Sequence, residues 1–134
     1  MENKRKHLEF IQDVINRMAR NSFLIKGWCI TIVAALIALA AKENNTRFLI
    51  VTIIPIVMFW ILDGYFLYQE RLYRALYDEV RVKKEEQIDY SMNTMEFAGN
   101  RNTWFHSIFS KTLNILYISL IGLVLISYFF LKSV

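Results

Sequence analysis

One cysteine, one proline, four glycines and two histidines are all that this 134-residue chain holds of the residues that most often carry chemistry or punctuate a fold. A lone Cys29 cannot close a disulfide within the chain, and its place inside an apolar run reads as a small packing residue. So little Gly and Pro leaves too few turn signals for a sheet-rich fold, and no low-complexity linker is present. His7 and His106 stand far apart, neither beside the cysteine or an acidic cluster, so no metal-ligand spacing exists. There is no glycine-rich phosphate loop, and no nucleophile–base–acid set can be assembled, which argues against an enzyme. The expectation is a chain with no catalytic residue, no metal site and no cofactor.

What the chain has in quantity is apolar length. Its residues are 55% hydrophobic and 15% aromatic, and they gather in three runs, 23–41, 48–68 and 112–131. Each run is close to the ~20 residues that carry a helix across the hydrocarbon of a bilayer. The predicted fold is therefore all-α: an integral membrane protein with three transmembrane helices in one domain, 1–134. Basic residues set its orientation. Six Lys and Arg precede or enter the first run, two lie in the first connection, seven in the second, and Lys132 alone follows the third. Positive flanks stay on the cytoplasmic side, so the N-terminus and the 69–111 segment are expected inside, the 42–47 turn and the C-terminus outside. Ala38, Leu39 and Ala40 also resemble a secretory cleavage site. The long stretch before them, however, carries Glu2, Glu9 and Asp13, unlike the short basic leader of a signal peptide. No aromatic–basic interleaving accompanies the charges, so direct nucleic-acid binding is not expected.

Residues 4–22 place Leu8, Ile11, Ile15, Met18 and Ser22 on one stripe at helical spacing. No Gly or Pro separates them from the first run, so the helix either continues or bends near Asn21 and Ser22. The second run leads as smoothly into 69–87, where Leu72, Leu76 and Val80 recur among charged residues. The two stripes are expected to pair as a cytoplasmic helical extension of the first two spans. In 88–107 the period is lost and turn formers interleave with aromatics. That segment is either an interfacial loop lying on the headgroups, with Trp104 and Phe105 in the aromatic belt, or a site for a signal or partner. Its candidate residues are Tyr90, Met95, Phe97, Arg101 and Trp104. Asn102 or Thr103 is placed to cap the third helix.

Ionisable groups inside a span are costly, which makes Lys26 and Asp63 candidates for function. Each lies fifteen residues from the intervening turn, so a hairpin holds both at one depth, about 22 Å below it. Gly27, Thr31, Ala34, Ala35 and Ala38 form a small-residue face of the sort that brings helices close. Lys26 lies roughly 115° round the helix from that face. If the face meets the second span, Lys26 either snorkels to the headgroups or pairs with Asp63, within the chain or between copies. Thr52, Asp63 and Glu70 share one side of the second span, and Pro55 removes a backbone donor there, a cause of kinks. This polar seam either lines a conduit or packs by hydrogen bonds against Asn114 and Ser119 of the third span.

Two stretches, RMARNSFLIKGW at 17–28 and FWILDGYFLYQERLYRALYD at 59–78, resemble a group of small bacterial membrane proteins. The layout of 4–87, a cytoplasmic helix, a tight transmembrane hairpin and a returning cytoplasmic helix, is similar to SLATT-type effectors of bacterial conflict systems. The third span and its aromatic loop lie outside that two-span pattern. The resemblance implies a pore-forming inner-membrane effector of anti-phage defence, gated by a nucleotide signal or a cytoplasmic partner protein; it transfers no ligand residues. Three spans cannot easily enclose a pore, so this reading requires a homo-oligomer in the lipid bilayer. Two further classes stay open: a small proton- or cation-coupled transporter with Asp63 as carrier site, and a non-catalytic anchor subunit for a cytoplasmic partner.

Overall fold

The computed structural model describes residues 2–99 and 102–134. Glu2–Glu43 form one helix, α1, and Arg47–Val82 a second, α2. With no Pro and only Gly27 in its length, α1 runs through Asn21 and Ser22 without a break. Its end is set by Asn44, which takes a left-handed φ of 51°, a conformation asparagine tolerates better than most residues. The Asn45 N–H then donates to the Ala40 carbonyl at 3.1 Å, closing a Schellman turn. The Asn45 side chain accepts the Arg47 N–H at 3.0 Å and so opens α2. The chain thus reverses within three residues and lays α2 antiparallel along α1. Pro55 lies inside α2 and does not divide it.

After α2 come two single 3-10 turns, Glu85–Gln87 and Met95–Phe97, then a short helix α3, Trp104–Ile108, and a long one, α4, Lys111–Ser133. Among the described residues the regular structure is helical, apart from an isolated bridge between Gly99 and Asn102. Two caps divide what the sequence suggested would be a single third helix. Thr103 accepts the His106 N–H at 3.0 Å and starts α3, while Ser110 accepts the Leu113 N–H at 3.4 Å and starts α4. Asn102 instead gives its amide to the Phe97 carbonyl at 3.2 Å.

Burial divides the molecule into two cores. In the apolar half, Cys29, Val33 and Ala40 of α1 meet Leu49 and Ile56 of α2 and Leu113, Tyr117, Leu120 and Val124 of α4. In the other half, a two-helix stem, Ile11 and Ile15 pack with Leu76, Val80 and Ile88 of the following loop, and Met92 and Phe97 cover them. Lys4 closes the stem: its ammonium donates to the carbonyls of Arg81 at 3.0 Å and Lys83 at 2.8 Å, acceptors that the end of α2 leaves over. Helices α1, α2 and α4 are each long and apolar enough to cross a membrane. Their outward side chains in that half are large and apolar, among them Phe23, Ile54, Met58, Ile118, Ile126 and Phe130.

The small-residue face of α1 is not where this chain packs on itself. Gly27, Thr31, Ala34, Ala35 and Ala38 are exposed, and nothing lies within 4 Å of a Cβ built on Gly27. The contact is made by Cys29, Val33, Ile37 and Ala40. The reason is continuity: these residues extend the stripe of Leu8, Ile11, Ile15 and Ser22 at i+3 and i+4 steps. One unbroken helix presents one stripe, so packing in the stem fixes the rotation of the apolar half. On the far side of α2, α3 approaches so closely that a Cβ at Gly64 would sit 3.0 Å from the Ile108 Cα. Two indoles fasten it there, Trp60 Nε1 donating to the Ile108 carbonyl at 2.7 Å and Trp104 Nε1 to the Ile61 carbonyl at 3.1 Å.

Candidate functional site

Between the two cores, α1, α2 and α4 converge on one carboxylate. Asp63 is fully buried. Its Oδ2 lies 2.7 Å from Lys26 Nζ and accepts the Tyr117 hydroxyl at 2.9 Å. Its Oδ1 accepts the Ser22 hydroxyl. Lys26 also donates to Ser22 Oγ at 2.6 Å, so the serine sits between cation and anion and bonds to both. A charge removed from water in this way is tolerated only when it is paired and its lone pairs are used, and here both conditions hold.

Each partner arrives for a local reason. Ser22 and Lys26 occupy successive turns of the buried stripe of α1, one turn before Cys29. Lys26 therefore points into the bundle rather than along its surface, and of the alternatives left open by the sequence, pairing within the chain is the one adopted. Its side chain keeps 22% of its exposure while that of Asp63 keeps none, so the ammonium is the edge of the site nearest to the surroundings. Tyr117 is held from behind by Trp60, whose ring stacks on it at 5.7 Å and 8°. That indole is itself fixed by its bond to Ile108, and Phe109 meets it edge-on at 6.0 Å. The short helix α3 thus reaches Asp63 indirectly, through Trp60 and Tyr117.

The remaining polar candidates do not join this cluster. Thr52 is buried but gives its hydroxyl to its own helix, at the Phe48 carbonyl, 2.9 Å away. Glu70 pairs with Arg74 at 3.1 Å. Ile56, Phe59 and Trp60 fill the turns between Thr52 and Asp63, so the seam is interrupted by packed apolar groups. Asn114 donates to the Phe109 carbonyl at 3.0 Å and Ser119 to that of Ile115, both without reaching α2. Helix α4 meets α2 through Tyr117 instead, which with Ser22 was not among the candidate site residues. The loop candidates are spread apart as well. Tyr90 and Phe97 lie against the stem, Met95 is exposed and Trp104 lies on α2 in the apolar half. Arg101 falls outside the described residues.

Cys29 is buried and unpaired. Among the described residues no group of three His, Cys, Asp or Glu side chains is placed to hold a metal ion. Comparisons with family models, with curated proteins and with solved structures find no match to this chain.

Proposed function

We propose that this chain is an inner-membrane effector that self-associates and permeabilises or depolarises the bacterial membrane when its stem and the 88–107 segment receive a signal. Insertion is supported by the length and apolar character of α1, α2 and α4 and by their many exposed large apolar side chains. An N-terminus inside and a C-terminus outside follow from the bias of Lys and Arg. The likeness of 4–87 to SLATT-type layouts supports a role in anti-phage defence.

The observation that carries the reading is the closed shell around Asp63. The carboxylate joins three helices where the stem core meets the apolar core, so a shift of the stem against α4 must break at least one of its bonds. Gating of the kind proposed requires a second arrangement in which at least one of these bonds is broken. A carrier carboxylate for coupled transport needs access, whereas both oxygens of Asp63 are occupied and apolar side chains separate it from Thr52. One chain encloses a core rather than a channel; the open face Gly27, Thr31, Ala34, Ala35 and Ala38 offers the surface for assembly.

The test is induced expression in bacteria with a membrane-potential dye, comparing wild type and Asp63→Asn. Depolarisation that strengthens in Asp63→Asn supports a gate held shut by the junction, and depolarisation that merely persists supports an effector in which Asp63 is structural. Depolarisation by wild type that is abolished in a folded Asp63→Asn points to a coupled transporter. Unchanged potential for both, even during phage challenge, favours an anchor subunit.

A further inference from the structure

A second buried titratable group, His7, plays no part in the junction. It lies one turn before Ile11 on the stripe that α1 buries and keeps only 5% of its exposure. Its Nε2 is buried without a hydrogen-bond partner. The ring of Tyr90 stands against it edge-on, 5.3 Å away at 71°. Tyr90 in turn holds a φ of 59°, a left-handed conformation that a bulky aromatic adopts only at a cost. Beside the pair opens a groove of about 580 Å³, lined by Asn3, Lys6, His7, Phe10, Tyr90 and Met92. A strained residue of the loop therefore packs on a stem histidine whose Nε2 is unsatisfied, beside a groove.

We infer that His7 and Tyr90 form a pH-sensitive latch: the neutral imidazole lets the 88–97 segment close on the stem, and its protonation releases that segment. An imidazolium carries two N–H donors, and here Nε2 has no acceptor, so the charged ring can be satisfied only by admitting water. Tyr90 then gives up its strained backbone as the contact opens. Burial pushes the His7 pKa below its ordinary value of 6.5, and Asp89 pulls it part of the way back. The sign follows from linkage. Closure is fully stable above the pKa of the open state, and that stability is lost as pH falls toward the lower value of the closed state.

The other charges on the elements around His7 do not supply the missing acceptor. Lys4 is bound to the carbonyls of Arg81 and Lys83, and Lys6 lies 4.0 Å from Glu2. On α2, Glu79 holds Lys83 at 2.7 Å, and that lysine is kept cationic by Glu79 first, then by Asp89 and Glu96. Asp89, next to Tyr90, is the carboxylate that acts on the imidazole. The latch lies in the stem, outside the apolar half, so its test does not depend on the proposed action at the membrane.

Hydrogen exchange of the 88–97 amides in detergent-solubilised protein, at pH 7.5 and 5.5 and corrected for intrinsic exchange, tests it. Opening is expected to rise in wild type across that interval, by up to about tenfold, the weight of one pH unit below the open-state pKa. His7→Phe, which keeps a ring against Tyr90, is expected to remove the rise. Equal opening at both pH values, or the same rise in His7→Phe, overturns the proposal. Because His7→Phe could disturb the stem, NMR titration of wild type gives a second decision. A His7 ring that titrates below its ordinary value together with the 88–97 amides supports the latch, and a ring that titrates while those amides stay unchanged refutes it.

Discussion

At the scale of single residues, Asp63 can be regarded as three separate bonds or as one charge around which an environment is built, and the two views differ in what a substitution removes. Tyr117→Phe deletes one bond and leaves the ion pair, so it is expected to lower stability by about 1.5–3 kcal/mol, the weight of a hydrogen bond to a buried charge. Lys26→Met strands a fully buried carboxylate and is expected to cost about 3–5 kcal/mol. Replacing both charges, Lys26→Met with Asp63→Leu, is expected to cost less than Lys26→Met alone, since no orphan charge remains. Thermal unfolding in detergent for these three variants and for Asp63→Leu alone checks the order, and additive losses in the double variant would show that the charges do not act as a pair. The matching depth of Lys26 and Asp63 was countable from the sequence, because a tight turn fixes the register of a hairpin. Tyr117 obeyed the same arithmetic. It lies five residues inside the third run, as Asp63 lies five residues inside the end of the second. A hydroxyl in an apolar run asks for a partner. What hid the direction of Lys26 was the small-residue face, which suggested the wrong rotation for α1.

Elements were legible where the period was long and sustained. Leu8, Ile11 and Ile15 of the first stripe do meet Leu76 and Val80 of the second in the stem, and the pattern of the first, continued by i+3 and i+4 steps, gives Cys29 and Val33. The small residues lie one position round from that line and stay exposed. Shorter features escaped, because five residues of α3 carry too little period to separate from a loop. Its seat on α2 depends on Gly64, whose role comes from a distant part of the chain. Gly64→Ala is expected to displace α3 and to cost about 1–3 kcal/mol, the usual toll of overpacking. As Trp60 and Trp104 both bond across that contact, a shift in tryptophan emission should accompany the loss. Native-like stability and emission would mean that α3 sits less tightly on α2 than the geometry requires.

For the whole molecule, the proposed orientation places Ser91 inside and Ser133 outside, and the single native cysteine makes this simple to check. In a Cys29→Ala background, Ser133→Cys is expected to react with a membrane-impermeant maleimide in intact spheroplasts, and Ser91→Cys only after lysis. The reverse pattern would invert the topology and move the stem to the other face. Whichever face it occupies, α1 is a single rod of 42 residues, about 63 Å long at the rise of an α-helix. Ser22 sits near its middle and His7 fifteen residues further out, about 22 Å away. A rod held at a pivot works as a gear. A tilt of about 5° at the Asp63 junction carries the His7 end sideways by about 2 Å, and a contact made at that end exerts its torque on the pivot through the same arm. An ion pair too small to move far would in this way be read out, or forced open, from the opposite end of the same helix.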